Sequence, residues 1–532
     1  MMNSKPRVRS TGFSRTPQTF RLKSVLHMVV LQTALVVGCA IGSLSAAPVP
    51  PQQDQQQEET KLTGEAKMMM SLLDVNDNGQ LEASELKGDA KEMLGGLDAN
   101  QDGVITSKEL SIVSGRKVDV HSKLVAIDTH KNPHRIVELP DALHRGLNRH
   151  FVRYTNVLAP NGKPIHLLAM DGWSVDRILR ARKVLEHFLT DVPDRQWGDK
   201  TALANAMADN HATMVLLNTN RDMDRVMPAI ESLNLQLQDL RANESPFEGE
   251  PDYMAHETRD AAYEEVFHLI HASGVLDAMK EYDREIRGLA KQATDSDLWN
   301  YDEPNMPGNH FEYIICVYDN YLDLWKTKPT LMEGRKVSRQ RDGQSFLGEY
   351  KADKRANTRT ADPEGFAMIE KFNPNHITYS AELPVDFKGA FSLAADGGQR
   401  YSEKAKHLLN VTLRGENASD LTGNTLNNRL VGNSSDNVLT GNGGDDSLFG
   451  GEGSDTAVYR GKRSQYTINR IGDLIEVHDS MVNRDGYDVL SGIETLKFED
   501  GAIGSKSLAS DGNANAAANE PKKDGNKNPQ VN

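Results

Sequence analysis

The chain contains 532 residues, carries a formal net charge of −15 at pH 7 and includes two cysteines. This length suits about two to four domains. An acidic chain is poorly suited to nucleic acid, so we expect no nucleic-acid partner and expect cations instead. The cysteines are Cys39 and Cys316. Because Cys39 lies in an N-terminal targeting segment, we expect no disulfide in the mature chain.

Residues 1–47 change from basic to apolar to small side chains, which is the order of a secretory signal peptide. We expect cleavage near Ala46 or Ala47 and export from a bacterial cell, either to the medium or to the cell surface. The segment that ends at Cys39 also resembles a bacterial lipobox, in which this cysteine would carry a lipid, and an uncleaved membrane anchor is a third option. The Pro-, Gln- and Glu-rich residues 48–61 predict a flexible linker.

Two segments fit the pattern D-x-[DN]-x-[DN]-G-x5-E, one starting at Asp74 and one at Asp98. Side-chain oxygens at positions 1, 3 and 5, a backbone carbonyl at position 7 and a bidentate carboxylate at position 12 suit Ca²⁺. The pattern resembles the EF-hand family, which implies a small α-helical calcium-binding pair at residues 62–117. The implied ligands are Asp74, Asn76, Asn78, Gln80 and Glu85 in the first loop, and Asp98, Asn100, Asp102, Val104 and Glu109 in the second.

The two loops are close together in the sequence. Leu81 and Ile105 occupy the same loop position, so we expect a short strand pairing between them. Only 24 positions separate Asp74 from Asp98, so the helices between the loops must be short. We therefore expect a compact module that calcium stabilises, in preference to a sensor that opens a groove.

Residues 118–421 form the largest globular part. Their predicted helices and strands follow no regular βαβ period, which indicates an α+β domain. The turn Asn161-Gly162 predicts a hairpin within residues 152–171, and Thr213–Asn218 predicts a buried strand. Helices are predicted at Val175–Leu189, Leu203–His211, Val226–Leu240, Ala261–Gly274, Val275–Ala290 and Asn309–Trp325.

The helix at Ala261–Gly274 carries candidate metal ligands. Glu264, His268 and His271 fall at i, i+4 and i+7, so they share one face of the helix. One carboxylate and two neutral imidazoles suit a divalent metal such as zinc. The alternative is an ordinary solvated helix face that binds no metal.

The order Glu264-Glu265-x-x-His268 resembles the H-E-x-x-H helix of the zincins, with glutamate in place of the first histidine. A later helix with Glu312 makes the order similar to the catalytic domain of the anthrax lethal factor type. This resemblance implies a metallopeptidase with Glu265 as the general base. The zinc ligands would be either Glu264, His268 and Glu312, or His268, His271 and Glu312, and both sets leave a position for water.

Other interpretations of this region remain open. His310 competes with Glu312 for the ligand role, and a zincin-like fold that has lost catalysis is a further alternative. Cys316 lies inside an apolar helix and is expected to be packed, not nucleophilic. The sequence shows no G-x-S-x-G, P-loop or Rossmann signature in support of another enzyme class.

Four glycine-rich nonapeptides follow in register: Gly423–Val431, Gly432–Thr440, Gly441–Phe449 and Gly450–Val458. They resemble the hemolysin-type (RTX) calcium-binding repeat G-G-x-G-x-D-x-U-x, which implies a parallel β-roll over residues 422–458. Their apolar eighth residues are expected to fill the narrow core of the roll. These residues are Leu430, Leu439, Leu448 and Ala457.

The resemblance implies that Asp446 and Asp455 are the calcium ligands of the last two repeats. Asn428 and Asn437 stand at the equivalent positions of the first two repeats. In the β-roll family an ion lies between turns n and n+2, so the resemblance implies one carboxylate for each ion. We therefore expect one or two weakly bound calcium ions.

The chain beyond the repeats divides into two parts. Residues 459–504 alternate apolar and polar side chains between turns, which predicts a β cap on the roll. Residues 505–532 are rich in Asn, Ala, Lys and Gly, which predicts a disordered tail.

These features favour an exported, multidomain, calcium-binding protein with a zinc-dependent hydrolase in its centre, acting on a protein or peptide. The architecture is similar to that of the serralysin-type secreted proteases, although their H-E-x-x-H-x-x-G-x-x-H signature is absent. The alternative is a non-catalytic protein that binds a surface or an extracellular matrix in a calcium-dependent manner. Calcium is the cofactor in both cases, and zinc in the first alone.

Overall fold

The computed structural model describes residues 64–508, except 77, 87–89, 91–93, 112–116, 302–307, 333 and 338–340. The predicted signal peptide with Cys39, the linker at 48–61 and the tail beyond 508 lie outside the described residues. Among the residues that are described, no helix is both long and apolar enough to cross a bilayer.

The two predicted calcium loops lie in a small helical module. Its elements are helix α1 (Gly64–Leu73), strand β1 (Gln80–Glu82), a 3-10 turn (Gly95–Leu97), strand β2 (Val104–Thr106) and helix α2 (Ser107–Leu110). Strands β1 and β2 pair antiparallel with Leu81 opposite Ile105, which confirms the predicted pairing. The apolar core of this module also includes Leu276 and Phe311 from the central part of the chain. The module therefore packs directly on the central domain.

A five-stranded mixed sheet forms the base of the central domain. Its strands are β3 (Val137–Glu138), β4 (Arg153–Leu158), β5 (Pro164–Ala169), β6 (Ala212–Leu217) and β7 (Gln236–Arg241), and they lie in chain order. Pairing is antiparallel from β3 to β5 and parallel from β5 to β7. The hairpin of β4 and β5 turns at Gly162, whose φ of 78° favours glycine, so the predicted hairpin is confirmed.

Helices surround this sheet and continue after it. They are α3 (His121–Val125), α4 (Arg145–Asn148), α5 (Val175–Phe188), α6 (Thr201–Asp209), α7 (Asn220–Ile230), α8 (Pro251–Ala255), α9 (Ala262–Ile270), α10 (Leu276–Ala278), α11 (Lys280–Asp295), α12 (Asn309–Tyr321), α13 (Arg355–Ala361), α14 (Pro363–Phe372) and α15 (Ser402–Ala405). A π-helical turn, His271–Val275, joins α9 to α10. Strands β8 (Leu331–Met332) and β9 (Arg335–Lys336) form a separate small hairpin.

Two of the predicted helices differ most from the structure. The helix predicted at Val226–Leu240 ends at Ile230, and Gln236–Arg241 is strand β7. Hydrogen bonding to β6 along its whole length outweighs the local helical spacing. The helix predicted at Val275–Ala290 is interrupted at Met279, whose φ of −134° and ψ of 49° are not helical.

The C-terminal part is a roll of two facing sheets. Its strands are β10 (Ile377–Glu382), β11 (Gly389–Ser392), β12 (Leu408–Thr412), β13 (Ser419–Thr422), β14 (Arg429–Val431), β15 (Val438–Thr440), β16 (Ser447–Phe449), β17 (Thr456–Val458), β18 (Tyr466–Ile471), β19 (Leu474–Asp479), β20 (Tyr487–Ser491), β21 (Thr495–Phe498) and β22 (Gly501–Gly504). One sheet has the order β10-β12-β14-β16-β20-β19-β18 and the other β11-β13-β15-β17-β21-β22. Successive nonapeptides therefore alternate between the sheets.

The core of the roll follows the repeat. Leu430, Leu439, Leu448 and Ala457 are each 0% exposed, which agrees with their predicted inward direction. Strands β10 to β13 join the same two sheets in parallel, so the sheets of the roll begin before residue 422, where the repeats place its start. The chain is thus a multidomain α+β structure with several sheets that contain parallel strands.

Candidate metal centres

Helix α9 lies in the interior of the central domain and packs against β7, α5 and α12. Every residue from Ala262 to Ile270 is buried, so the solvated face that was the alternative interpretation is not observed. The start of the helix is held by Asp260, which accepts a hydrogen bond from the Ala262 amide at 3.0 Å and binds both terminal nitrogens of Arg180. Polar side chains on α9 are therefore fixed in a region of low dielectric.

The structure brings Glu264, His268 and Glu312 together. One ligand atom from each lies within 4.8 Å of the others. Nε2 of His268 lies 3.7 Å from Oε1 of Glu312, and its Nδ1 lies 3.6 Å from Oε2 of Glu265. These distances are too long for hydrogen bonds. Both nitrogens of this buried ring have no hydrogen-bond partner among the described residues.

Charged groups surround this cluster, which we call the α9 cluster (Glu264, His268 and Glu312). Arg259 forms an ion pair with Glu264 and also donates hydrogen bonds to Asp319 at 3.0 and 2.7 Å. Burial raises the pKa of Asp319 to about 6, although Arg259 opposes this shift. The second carboxylate on α9, Glu265, lies on the other side of the cluster.

Glu265 is held by two donors. Its Oε2 accepts a hydrogen bond from Gln238 at 2.6 Å, and its Oε1 accepts one from Arg241 at 3.2 Å. Arg241 also binds Glu244 at 2.6 Å. Around His268 the buried carboxylates of Asp239, Glu244, Glu264, Glu265 and Asp319 face the guanidinium groups of Arg241 and Arg259. The partly buried carboxylate of Glu312 lies beside the imidazole. This local excess of negative charge suits a divalent cation.

The same excess acts on His268. Burial disfavours its charged form, but the carboxylates of Glu312, Glu265 and Glu264 outweigh burial and raise the pKa of His268 to about 9. In the metal-free protein the imidazole is therefore protonated at neutral pH. A metal must displace that proton, so we expect metal affinity to increase with pH.

His271 does not join the α9 cluster. It lies instead with Asp283 on α11 and His310 on α12, and ligand atoms of these three residues lie within 4.8 Å of one another. The ligand set of His268, His271 and Glu312 is therefore not brought together, whereas the set of Glu264, His268 and Glu312 is. Cys316 is buried in α12, in agreement with its expected packing role.

The two predicted EF-hand loops share one internal arrangement. The carboxylates of Asp74 and Asp98 accept hydrogen bonds from the amides of Gly79 and Gly103, at 2.7 and 2.9 Å. The predicted ligands at the remaining loop positions lie on the same short turns. The sequence prediction did not include Glu82, whose carboxylate accepts from the amide groups of Asn76 and Asn78. It occupies loop position 9, which often reaches calcium through water, so the loop numbering could have identified it.

The roll places carboxylates in columns. Asp446 accepts a hydrogen bond from the Asn428 amide at 2.7 Å, and its own amide donates to Asp488 at 3.0 Å. Oδ2 of Asp446 is buried and has no hydrogen-bond partner among the described residues. A Cβ atom at Gly441 would lie 2.2 Å from this oxygen, which explains why glycine begins the repeat.

A second column repeats this arrangement. Asp455 accepts from the Asn437 amide at 2.8 Å, its amide donates to Glu494 at 2.9 Å, and its Oδ2 also lacks a partner in the described part of the chain. The sequence prediction missed Asp488 and Glu494, which lie beyond the four repeats. The spacing of an acid two residues before a leucine, as in Asp446-Ser-Leu448, recurs at both and could have identified them.

The substitution Asp488→Asn is expected to weaken calcium binding by the roll about tenfold, because one of two neighbouring carboxylates is lost. Calorimetric calcium titration would measure this in a Glu85→Gln/Glu109→Gln background, which removes the closing carboxylates of the EF-hand-like loops. Asp473→Asn, an exposed acid on a cap turn, is the control and should have no effect. Equal affinity of the two variants would show that Asp488 is not a ligand.

Comparisons with known proteins support the C-terminal assignment. The sequence matches the family of RTX calcium-binding nonapeptide repeats in four copies over residues 422–457. A comparison with curated proteins finds no match. Among solved structures, the extracellular lipase LipA from Serratia marcescens is similar, with a TM-score of 0.17 and 9% identity, covering 84% of this chain and 75% of that chain. So distant a likeness says nothing about the central domain, whereas the repeats identify the C-terminal part as a calcium-binding RTX module of the kind typical of secreted proteins.

Proposed function

We propose that this chain is an exported calcium-binding protein whose central domain hydrolyses peptide bonds with a zinc ion held by Glu264, His268 and Glu312. The RTX repeats support calcium binding and secretion. The zinc site is supported mainly by one observation. The buried ring of His268 has no hydrogen-bond partner among the described residues, although carboxylates lie on both sides of it.

The contacts of the His268 ring are incomplete in the metal-free protein. Its two nitrogens lie 3.6 and 3.7 Å from carboxylate oxygens, so ion pairing stabilises the charged ring without a hydrogen bond to either nitrogen. Protein interiors seldom retain such a group unless it serves another purpose. A zinc ion on Nε2 would satisfy one nitrogen, and a small movement of Glu265 would satisfy the other. That carboxylate–histidine–metal order is common in zinc sites.

The ligand set also predicts the chemistry of the site. When bound, zinc would lower the pKa of a coordinated water and polarise a carbonyl group. Two carboxylates and one neutral imidazole neutralise the charge of the ion more fully than two imidazoles and one carboxylate would. Arg259 withdraws negative charge from Glu264 and so partly restores the acidity of the site. Glu312, whose side chain is 13% exposed, marks the side of the cluster nearest to solvent.

Glu265 can act in two ways that have different consequences. The resemblance to zincins makes it the general base. Its position 3.6 Å from Nδ1 of His268 makes it instead the group that orients the imidazole. The hydrogen bonds from Gln238 and Arg241 hold it in place in both cases.

The substitution Glu265→Gln is expected to separate these roles. If Glu265 is the base, peptide hydrolysis falls to background while zinc content is unchanged, because the amide cannot accept a proton. If it orients His268, zinc affinity falls by about 10- to 100-fold, and saturating zinc restores hydrolysis. Both quantities would be measured on the full mature chain with a protein substrate. Glu370→Gln, an acid paired with Arg359 away from the cluster, is the control. Wild-type zinc content and wild-type hydrolysis in Glu265→Gln would exclude both roles.

A non-catalytic function is the second candidate, and the burial of the α9 cluster favours it. Glu264 and His268 are 6% and 1% exposed, which suits a structural ion better than an open catalytic site. In that case the chain would attach to a cell surface or matrix when calcium is present. Zinc in the purified chain without hydrolysis of any peptide library, together with calcium-dependent adhesion, would support this candidate.

The remaining assignments form part of the same proposal. The EF-hand pair at 62–117 would bind two calcium ions, and export would follow from the signal peptide at 1–47, with or without a lipid on Cys39. Calcium is plentiful outside cells, so both calcium modules would become fully stable after export. Both modules would then be more stable outside the cell than inside it.

A further inference from the structure

A second buried cluster lies beside the α9 cluster. Oδ1 of Asp283 is 2.8 Å from Nε2 of His271 and 2.7 Å from Nε2 of His310. Exposure is 0% for His271, 2% for His310 and 6% for Asp283. Three different elements therefore place two imidazoles and one carboxylate around one point that is closed to solvent. This set is one of the commonest ligand combinations for divalent transition metals.

The backbone at His271 is unusual. The α-helix ends at Ile270, and His271–Val275 form a π-helical turn. Such turns widen a helix, change the direction of its side chains and occur often at functional sites. Here the turn directs His271 towards α11 and α12, whereas His268, three residues earlier, faces Glu312. The ring of His271 also stacks on Phe311, with centroids 3.8 Å apart, which fixes its plane.

The hydrogen bonds of Asp283 separate the roles of its two oxygens. Arg287 binds the other oxygen, Oδ2, at 2.6 Å and leaves Oδ1 to the histidines.

We propose that His271, Asp283 and His310 bind a second divalent transition-metal ion, which joins α9, α11 and α12. The closed surroundings suit an ion that holds these three elements together, most simply zinc, with a water molecule as its fourth ligand. It would also align the α9 cluster, because His271 directly follows the end of α9, three residues after His268, and His310 precedes Glu312 on α12. The site does not depend on the proposed hydrolase, since its three ligands are separate from those of the α9 cluster.

Metal content of the full mature chain tests this proposal. The protein, kept in excess calcium, would be dialysed against zinc-free buffer and measured by plasma mass spectrometry. We expect about two zinc ions per chain in the wild type and about one fewer in Asp283→Asn. Two further variants are measured for comparison. His268→Gln removes the nitrogen ligand of the α9 cluster. His187→Gln is the control, because this buried histidine binds Thr378 and belongs to neither cluster.

The outcomes distinguish this proposal from the proposed function. Loss of one ion in Asp283→Asn but none in His268→Gln supports the second site and contradicts the α9 site. Loss in His268→Gln alone contradicts the second site and leaves a hydrogen-bonded His–Asp–His network. Cobalt titration of the zinc-free wild type avoids the folding of any variant. If two equivalents of cobalt bind and develop visible d–d absorption, both sites are supported. If no cobalt binds, both sites are contradicted.

If the wild type binds only one equivalent of cobalt, its site is assigned by measuring cobalt affinity in the Asp283→Asn and His310→Gln variants, which retain the α9 ligands. If either variant still binds that equivalent with unchanged affinity, the second site is excluded. If both fail to bind it while His268→Gln binds it normally, the ion belongs to His271, Asp283 and His310.

Discussion

Removal of calcium at about pH 8 is expected to unfold the C-terminal roll, whereas at about pH 5 the calcium-free roll is expected to stay folded. The reason is a column of buried carboxylates. Burial raises the pKa of Asp446 to about 7 and that of Asp455 to about 6. Burial and the neighbouring Asp446 raise the pKa of Asp488 to about 8. All three groups thus resist ionisation in the calcium-free fold.

The sign of the pH dependence follows from proton binding. An aspartate in an unfolded chain has an ordinary pKa of 3.8, so between about pH 4 and pH 8 the folded roll holds protons that the unfolded chain has released. Folding stability without calcium therefore falls as the pH rises through this range. Asp446 and Asp488 each contribute on the order of a few kcal/mol. Calcium replaces the protons and removes this cost, so stabilisation by calcium should be larger at the higher pH.

Thermal unfolding of the full chain between about pH 5 and pH 8.5, with calcium or with chelator, measures this effect. The EF-hand-like loops also respond to calcium, so the same series is repeated with Glu85→Gln/Glu109→Gln, in which the roll should respond alone. The double variant Asp446→Asn/Asp488→Asn should lose most of the pH dependence of its calcium-free transition. If the calcium-free unfolding temperature of the wild type does not change with pH, the pKa values of these carboxylates are not raised in the folded roll.

Patterns within one element were predictable from the sequence. The grouping of Glu264 with His268 follows from helical spacing, and Leu81 meets Ile105 because loop position fixes the pairing. The inward leucines of the roll follow from the nine-residue period. In each case a short-range rule determines which side chains share a face.

Features that depend on long-range packing were not predictable. Nothing in the sequence marks the π-helical turn that directs His271 to Asp283, because the residues His271–Val275 have no distinctive composition. The helix predicted over strand β7 is wrong because the pairing partner of this strand, β6, lies earlier in the chain. Asp488 is a different case, since its spacing before Leu490 is visible in the sequence. It was missed because a hairpin separates it from the repeats, so it enters the column 42 residues after Asp446.

The electrostatics of the α9 cluster also depend on packing. Arg241 and Arg259 have no visible relation to the helix in the sequence, yet they supply the positive charge nearest to Glu265 and Glu264. A helix with four acidic and basic side chains on one side is usually exposed. Here the opposing guanidinium groups lower the free-energy cost of burying these charged side chains, and a bound cation would lower it further.

The substitution His268→Ala is expected to remove about one zinc ion per chain and to reduce peptide hydrolysis to background, because it deletes the nitrogen ligand between Glu264 and Glu312. The metal-free protein should also lose about 3–5 kcal/mol of stability below about pH 6.5, the ordinary pKa of a histidine in an unfolded chain. In that range the imidazolium of His268 neutralises part of the surrounding charge. The loss should shrink as the pH rises from about 6.5 to 9, because the pKa of the folded group is about 9.

Metal analysis, a hydrolysis assay and chelator-treated thermal unfolding at several pH values would measure the three effects. His187→Ala provides the matched control, since its ring is equally buried and is hydrogen-bonded to Thr378 at 2.9 Å. The control should lower stability at all these pH values without changing zinc content. Retention of full zinc content in His268→Ala would place the ion elsewhere. Loss of zinc with hydrolysis unchanged would separate the metal from catalysis and would favour the calcium-dependent binding protein.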